Sequence, residues 1–358
     1  MSVIASAPGK LILIGEYAVL EGAPAIVTAI NRYAKVTLKN TSTNTFSLHS
    51  PTFNIYDLQF QIDPRGKVEL SQSLDSKLSK KLDFIHKNIE QLFQKYKAIR
   101  FFPCKEIILD TDDFYIKASG DKLGLGSSAA LTVAFIYAFI HEYSCESSIN
   151  NKLIYKIASE LHFKTQGGLG SGIDIAASSF GGCLKFKKNN TNDLPYADIV
   201  PIRKPTDLFI IPIWSGFSTS TPDMIDKVKY LKKTNSKIYW KLISKLTEIA
   251  LNASVAFVRG KIDKFLGLSE EYFFYLKKLG EKSQADIISE THQRIAAIVK
   301  KKGGVYKISG AGGGDIGLAF TNSPAIHRQI SDSLLHQGLQ ILNLDFDQVG
   351  PLIKTLEA

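Results

Sequence analysis

The residues with the clearest chemical potential form a glycine-rich stretch at 122–128, Lys-Leu-Gly-Leu-Gly-Ser-Ser. Its two glycines allow the backbone to turn tightly and to approach a ligand where a Cβ atom would clash. The apolar run that follows, at 129–140, predicts a buried helix. A glycine turn that leads into a helix N-terminus offers unpaired N–H groups and the positive end of the helix dipole, which together favour a phosphate. Ser127 or Ser128 could add a metal-binding oxygen, although an ordinary loop and N-cap before a core helix fits the short pattern equally well.

Two charged residues stand beside further glycines. Lys10 follows Pro-Gly at a turn expected between short strands at 3–7 and 11–14, and it points either into a cleft or, as a plain turn lysine, into water. Asp174 follows the sequence Gly-Gly-Leu-Gly-Ser-Gly-Ile at 167–173. A carboxylate at the start of a helix is commonly a plain cap. Taken alone, each residue is a candidate for a structural or a chemical role.

A third glycine turn, Ser-Gly-Ala-Gly-Gly-Gly-Asp at 309–315, lies between strands expected at 305–308 and 316–320. Glycine costs backbone entropy on folding, so three such turns in a chain with 26 glycines suggest close approach to a ligand. None of the three ends in the Gly-Lys-Ser/Thr of a P-loop, and none fits the dinucleotide fingerprint in its strand–turn–helix context.

The elements expected to position these turns alternate between strands and helices. An amphipathic helix is predicted at about 77–98 from apolar residues at helical spacing, and a second helix at about 150–162. Further strands are expected at 25–29, 33–38 (with a joint at Asn31-Arg32), 107–109, 114–116 and 208–213, and further helices at 222–233, 236–259, 262–279, 285–301 and 324–336. A chain of 358 residues is long enough for two joined domains, and the polar loop at 187–193 is a plausible joint.

Composition and charge limit the function classes. The sequence is 44% hydrophobic and 22% charged, as in a globular protein, and its net charge is +10. Because the lysines are scattered and form no basic block, an anionic small molecule is favoured over nucleic acid. No apolar run reaches the ~20 residues that cross a bilayer, and no signal peptide is recognised. The three cysteines, without metal spacing, are expected to be reduced in a cytoplasmic protein.

Taken together and in this order, the motifs resemble those of the GHMP kinases, the small-molecule kinases named for galactose, homoserine, mevalonate and phosphomevalonate. Pro-Gly-Lys at 8–10 with Gly-Glu-Tyr at 15–17 resembles the first family motif. Gly-Leu-Gly-Ser-Ser-Ala at 124–129 resembles the ATP-binding second motif, and Ser-Gly-Ala-Gly-Gly-Gly at 309–314 the third. The resemblance spans nearly the whole chain.

Within the family, local details are similar to the phosphomevalonate kinases. Tyr17 stands where mevalonate and galactose kinases usually have histidine, and Trp-Ser-Gly at 214–216 with Ser-Thr at 220–221 resembles a phosphomevalonate kinase segment. Two residues depart from that pattern: Thr165 stands where alanine is usual, and Ile316 stands where cysteine is often found. Neither residue has an obvious chemical role.

The resemblance implies an α+β fold of two domains, 1–190 and 191–358, with the active site in the cleft between them. It implies ATP and Mg²⁺, with Ser128 as the metal ligand. Lys10 would stabilise charge on the transferred phosphoryl group, and Asp174 would face it across the acceptor. The residues implied to hold the ATP phosphates are Gly124, Leu125, Gly126, Ser127, Ser128 and Ala129. Those implied to contact the acceptor are Tyr17, Ser171, Ser220, Ser309, Gly310, Ala311 and Gly312.

The reaction that the resemblance implies is phosphorylation of phosphomevalonate to diphosphomevalonate in isoprenoid precursor synthesis, by a monomer or homodimer without nucleic-acid or membrane partners. A phosphomonoester has a second pKa near ~6 and is already mostly dianionic, so Asp174 would orient groups rather than remove a proton. Joining two anions favours a cationic cleft, with Arg32, Lys122 and Lys185 as candidates for the acceptor phosphate. Alternative acceptors are mevalonate or a sugar. A non-catalytic small-molecule-binding regulator is the alternative from another class.

Overall fold

In the computed structural model, the described residues are 2–63, 65–70, 86–92, 94, 103–143, 149–165, 170–189 and 197–356, apart from the side chains of 164 and 165. The strands are β1 (Ser2–Ile14), β2 (Pro24–Asn40), β3 (Phe46–Ser50), β4 (Ile55–Ile62), β5 (Val68–Leu70), β6 (Lys105–Asp110), β7 (Cys183–Lys188), β8 (Ala197–Ile202), β9 (Phe209–Trp214), β10 (Val305–Ser309), β11 (Ile316–Thr321), β12 (Gln340–Ile341) and β13 (Leu352–Leu356). The helices are α1 (Ser127–Tyr143), α2 (Asn151–Thr165), α3 (Ile173–Phe180), α4 (Thr221–Thr234), α5 (Ser236–Val258), α6 (Ile262–Ser283), α7 (Glu290–Lys301) and α8 (Pro324–His336). The expected α+β class is confirmed.

The strands form two sheets within the described part of the chain. The larger has the order β13-β1-β2-β6-β3-β4-β5, with β7 paired to β2 and β8 paired to β7. The smaller has the order β10-β11-β9-β12. Helices α1 and α3 pack on β1 and β2, and α6 packs against α5 and β10. One buried apolar cluster includes residues of both sheets and of most helices, so burial of apolar surface holds the two sheets together.

The strand that carries Lys10 is longer than the sequence predicted. β1 runs through Pro-Gly-Lys at 8–10 without a turn, and β2 likewise continues through 31–32. The expected joint is a bulge, because Pro8 pairs with Tyr33 whereas Gly9 pairs with Ile30. Gly9 is required here, since a Cβ atom would lie 2.8 Å from the Leu125 carbonyl oxygen. The bulge bends the sheet next to the glycine turn that follows 122.

Most of the other expected elements are confirmed to within a few residues, with three exceptions. The strand expected at 114–116 was wrong: the segment Asp112–Phe114 is a short 3-10 helix, and Tyr115 makes only an isolated bridge to Lys122. The helix expected at 285–301 begins only at Glu290. Of the helix expected at about 77–98, residues 86–92 and 94 are helical and the remainder lies outside the described residues.

The sheets do not divide the chain at residue 190. Both β8 and β13 lie beyond that position but belong to the larger sheet, β8 through β7 and β13 through β1. Part of the loop expected at 187–193 belongs to β7, and residues 190–193 lie outside the described part. The division into 1–190 and 191–358 therefore stays a prediction. Among the described helices, none has an apolar stretch long enough to cross a bilayer.

Candidate active site

A cavity of about 500 Å³ lies between β1 of the larger sheet and the end of β10 in the smaller one. Of the residues predicted to hold the nucleotide, those that line it are Gly124, Gly126, Ser127, Ser128 and Ala129. Of those predicted to be catalytic or to contact the acceptor, the lining includes Lys10, Asp174, Tyr17, Ser171, Ser220, Ser309, Gly310 and Ala311. Segments far apart in sequence thus meet around one space.

Two predicted site residues do not line the cavity. Leu125 is buried, and its carbonyl oxygen accepts a hydrogen bond from the Lys10 backbone N–H at 2.9 Å. Gly312 faces the other way, because a Cβ atom there would overlap the carbonyl oxygen of Ile287. Both residues belong to glycine turns whose neighbouring residues reach the cavity, so their contribution is to the shape of the turn.

The turn before α1 has the geometry that an anion-binding helix start requires. Gly124 and Gly126 have φ angles of 71° and 83°, which side-chain-bearing residues rarely adopt. The helix begins at Ser127, so the first N–H groups of α1 have no partner within the helix and lie at the positive end of its dipole. Because Ser127, Ser128 and Ala129 line the cavity, this helix start can take up the negative charge of a phosphate chain.

Lys10 lies where the first and third glycine turns meet. Its ammonium donates to the Gly124 carbonyl oxygen at 3.3 Å, and a Cβ atom on Gly310 would lie 3.8 Å from its Nζ. Lys10 is 8% exposed. Burial lowers the pKa of Lys10, whereas the nearby carboxylates, Asp174 foremost, raise it. The Lys10 side chain therefore lies in a largely enclosed space and is not a turn lysine in water.

Asp174 lies in the first turn of α3, after Gly172 with a φ of 78°. One carboxylate oxygen accepts a local hydrogen bond from the Ile175 N–H at 3.0 Å, as a capping residue would. The carboxylate acts on Lys10 electrostatically, yet the two side chains form no ion pair within 4.0 Å. His162 also lines the cavity, and burial lowers its pKa while Asp174 raises it. Lys10 and Asp174 thus line the same cavity without forming an ion pair with each other.

The third glycine turn is fastened to the first motif by hydrogen bonds. Ser309 Oγ accepts from the Ile12 N–H at 2.9 Å, and the Tyr17 hydroxyl donates to the Ala311 carbonyl oxygen at 2.5 Å. Tyr17 has a φ of 61°, a strained value for a bulky residue. Burial raises the pKa of Tyr17, so its hydroxyl remains a donor at neutral pH. This tyrosine closes the wall of the cavity.

Some of the remaining predicted contacts line the cavity and others do not. Ser220 is the N-cap of α4, where its side chain accepts from the Asp223 N–H at 3.5 Å, and it lines the cavity. Lys122 lines the cavity as well. Arg32 and Lys185 are absent from the described lining, and Arg32 instead donates to the Asn343 carbonyl oxygen at 3.4 Å.

Two carboxylates in the lining, Glu16 and Asp315, were missing from the sequence-based site. Asp315 has a φ of 57°, and its carboxylate lies where Gly124 would carry a side chain. Burial raises the pKa of Asp315, whereas Lys10 and Lys122 lower it. Their positions directly after a glycine were a signal that could have identified both: Glu16 follows Gly15, and Asp315 follows the third glycine turn.

The described lining holds three carboxylates and two lysines, so it is not the strongly cationic cleft that was expected. Helix starts can supply attraction for anions instead, because residues at the N-terminal ends of α1, α3 and α4 all line the cavity. Helix dipoles and free N–H groups attract phosphate oxygens without adding net charge. The carboxylates match a ligand that brings a cation with it.

Residues 86–182 match the family model described as the GHMP kinases N terminal domain. A relative along most of the chain is a mevalonate kinase from Archaeoglobus fulgidus, 27% identical over 87% of this chain and 89% of its own. Another is a phosphomevalonate kinase from Saccharolobus solfataricus, 25% identical over 96% of this chain and 97% of its own.

Solved structures agree with these sequence matches. Streptococcus pneumoniae phosphomevalonate kinase, in complex with phosphomevalonate and AMPPNP, has a TM-score of 0.77 at 20% identity, covering 96% of this chain and 99% of that one. The chain has the fold of the GHMP kinases. A Lin0012 protein from Listeria innocua superposes with a TM-score of 0.84 at 25% identity, covering 99% of both chains. The predicted resemblance to the GHMP kinases is confirmed, and the kinase-named relatives support a phosphotransferase.

Proposed function

We propose that the protein is an ATP- and Mg²⁺-dependent kinase that transfers a phosphoryl group to phosphomevalonate, giving diphosphomevalonate in the mevalonate pathway. The observation that carries the proposal is the meeting of Lys10, Asp174 and the start of α1 around one cavity. Phosphoryl transfer depends on positioning and on charge stabilisation, and this arrangement supplies both. Within the proposal, the enzyme acts in the cytoplasm as a monomer or homodimer.

The turn and helix start suit a nucleotide's phosphate chain. Gly126 is the residue that brings the backbone beside Lys10, since a Cβ atom on it would lie 3.1 Å from Lys10 Cγ. In the proposal, Gly124, Gly126 and the first N–H groups of α1 bind the phosphates, and Ser127 and Ala129 complete that wall.

The residues present also fit Mg²⁺, which prefers oxygen ligands and commonly combines few protein groups with substrate phosphates. Ser128 at the start of α1 would hold it by its hydroxyl, and the Asp174 carboxylate lies in the same cavity. When bound, the metal neutralises charge on the phosphates.

Lys10 would stabilise the negative charge that develops on the transferred group. An oxygen of the acceptor phosphate bonds to the terminal phosphorus of ATP, the bond from that phosphorus to the bridging oxygen breaks, and ADP leaves. Because that acceptor is already dianionic, Asp174 orients Lys10 and the acceptor and need not remove a proton. Ser171, Ser220, Ser309, Gly310 and Ala311 would contact the acceptor, with Tyr17 holding the last of them in place.

Two related proteins support phosphomevalonate over other acceptors: a phosphomevalonate kinase of similar length and a phosphomevalonate kinase solved in complex with phosphomevalonate. The tyrosine at 17, where mevalonate and galactose kinases usually have histidine, supports the same acceptor. The mevalonate kinase relative keeps mevalonate as the second candidate.

The decisive experiment is an acceptor panel. Purified protein, ATP and Mg²⁺ are combined with phosphomevalonate, mevalonate, galactose or no acceptor, and ADP release is measured. We expect turnover with phosphomevalonate alone. Turnover with mevalonate but not with its phosphate would replace the proposed acceptor, and binding of ATP without turnover on any acceptor would favour a regulator.

A further inference from the structure

A buried histidine lies beneath the third glycine turn, outside the cavity. His292, in the first turn of α7, is 0% exposed, and it is not among the described residues that line the cavity. Its Nε2 atom lies 2.9 Å from the Gly314 carbonyl oxygen, and its Nδ1 atom lies 2.7 Å from the Tyr306 hydroxyl oxygen. The ring thus connects α7 and β10 to the backbone of the glycine turn.

The two partners of His292 determine which ring nitrogen carries the proton. A carbonyl oxygen can only accept a hydrogen bond, so Nε2 is the donor to Gly314. Burial lowers the pKa of His292, which favours the neutral ring with a single N–H. Nδ1 then accepts from the Tyr306 hydroxyl, for which Gly317 leaves room, because a Cβ atom there would lie 1.8 Å from that hydroxyl oxygen.

The hydrogen bond to Gly314 fixes the peptide unit that leads into Asp315. The carbonyl oxygen of this unit accepts from His292, and its N–H, which belongs to Asp315, donates to the Phe217 carbonyl oxygen at 2.8 Å. The peptide plane cannot rotate without breaking one of these bonds, and its orientation sets the φ angle of Asp315. That angle is 57°, a left-handed value that a residue with a side chain keeps only where its surroundings hold it.

The side chain of Asp315 reaches the first glycine turn. Its carboxylate carbon lies 2.4 Å from the place where Gly124 would carry a Cβ atom, so the carboxylate packs against the Gly124 backbone. It also lines the cavity, and its Oδ1 accepts from the Thr219 N–H at 3.4 Å. Rotation of the peptide before Asp315 would move this carboxylate and leave the turn that precedes α1 without support on one side.

We propose that His292 is a positioning residue for nucleotide binding: by holding the Gly314 carbonyl oxygen, it keeps the Asp315 carboxylate packed against Gly124. The inference rests on the proposed function, in which Gly124 and the start of α1 bind the phosphates of ATP. His292 itself touches no ligand, and its effect reaches the cavity through Asp315. That route distinguishes it from a histidine that only fills the core.

The first test compares two substitutions that break different bonds of the same ring. In His292→Asn, the amide takes the place of Nδ1 beside Tyr306 but is too short to reach Gly314. Tyr306→Phe removes the other bond and leaves the one from Nε2. We expect His292→Asn to weaken the binding of AMPPNP with Mg²⁺ roughly ten-fold, about what one hydrogen bond contributes. Tyr306→Phe should lower the unfolding temperature but bind AMPPNP as the wild type does. Isothermal titration calorimetry measures both dissociation constants.

A double-mutant cycle tests whether the effect passes through Asp315. Glycine at this position tolerates the left-handed φ and carries no side chain. We expect Asp315→Gly to weaken AMPPNP binding by itself and His292→Asn to add no further loss to it, because both substitutions remove the same contact with Gly124. A loss from His292→Asn that persists in the Asp315→Gly background would overturn the proposal, as would wild-type binding by His292→Asn.

A second variant decides the matter where His292→Asn does not fold. His292→Leu/Tyr306→Phe replaces both members of the buried polar pair by apolar side chains, which is tolerated better than removal of one partner. This variant still lacks the bond to Gly314. We expect it to bind AMPPNP roughly ten-fold more weakly than Tyr306→Phe, and equal dissociation constants would overturn the proposal.

A crystal structure of the folded variant gives a measurement that needs no nucleotide. We expect the Asp315 carboxylate to have moved away from Gly124, and a carboxylate in its wild-type place would overturn the proposal. Failure of the proposed function looks different. The wild-type protein would then release no ADP with any acceptor, while the position of Asp315 would still depend on His292.

Discussion

The first and third glycine turns differ in what occupies the places where their side chains would be. In the first turn, those places are taken by charged side chains that line the cavity: Asp315 lies against Gly124, and Lys10 against Gly126. In the third turn, Gly312 and Gly314 face the backbone oxygens of neighbouring loops. Similar sequence patterns thus serve different ends. The glycines of the first turn make room for the site, and most of those of the third make room for packing.

Glycine content alone would therefore mislead about function. Gly310 is the member of the third turn that approaches Lys10, whereas Gly313 packs against the Met224 side chain, 2.5 Å from where its own Cβ would be. The distinction predicts that substitutions in the two turns have separable consequences, on catalysis in one and on stability in the other.

The largest effect is expected at Lys10, where both turns meet. Lys10→Met keeps the stem of the side chain but removes the charge, and we expect kcat to fall by about 10²–10³-fold, as on loss of one stabilising donor. In the wild type, activity should also decline as pH rises through the Lys10 pKa, because the protonated form is the active one and burial lowers that pKa below its ordinary value. Steady-state ADP release across pH measures both effects. An unchanged kcat in Lys10→Met would show that Lys10, where the two turns meet, takes no part in catalysis.

The next largest effect on kcat is expected for Asp174→Asn. The group is expected to orient Lys10, so kcat should fall by ~10²-fold with phosphomevalonate, the lower end of the range for lost acid–base groups, while the unfolding temperature stays unchanged. Near-normal turnover would refute a catalytic role. A far larger loss with an alcohol acceptor than with a phosphate acceptor would identify Asp174 as a base for the former.

Gly312→Ala should mainly reduce stability. The residue has a φ of 79° and its Cβ would overlap the Ile287 carbonyl oxygen, so strain and overpacking together should cost about 2–4 kcal/mol in the free energy of unfolding. Urea denaturation measures this loss. Gly338→Ala is the matched control, with a φ of 71° and no atom within 4 Å, and should lose only about 1 kcal/mol. Equal losses would show that the third turn is not packed as described.

Gly126→Ala is expected to have the smallest effect on stability and a selective effect on nucleotide binding. Its Cβ would lie 3.1 Å from Lys10 Cγ, so the backbone and Lys10 must separate by a few tenths of an ångström. We expect an increase of roughly ten-fold in the KM for ATP, equivalent to about 1.4 kcal/mol, with stability close to that of Gly338→Ala. An unchanged KM for ATP together with a large loss of stability would show that the glycines of both turns serve packing.

Local patterns in the sequence predicted most elements, since apolar spacing and caps report the helices α4 to α8 directly. What they could not report was continuity: Pro8-Gly9 looks like a turn, and only pairing with β2 makes it a bulge within one strand. For the candidate site, the sequence predicted the residues that lie within recognisable motifs. Glu16 could be read from the sequence but its partner Lys307 could not, because 291 positions separate them and tertiary packing alone brings them together.

The pairing of β13 with β1 determines when one edge of β1 is covered during synthesis. The strand that bears Lys10 has β2 on one side, but its other edge is covered by Leu352–Leu356, which the ribosome makes hundreds of residues later. During synthesis this edge stays open, and an unpaired edge can bind another strand. Loss of Leu352–Leu356 would thus leave Ser2–Ser6, in the strand that bears Lys10, as an unpaired edge open to aggregation.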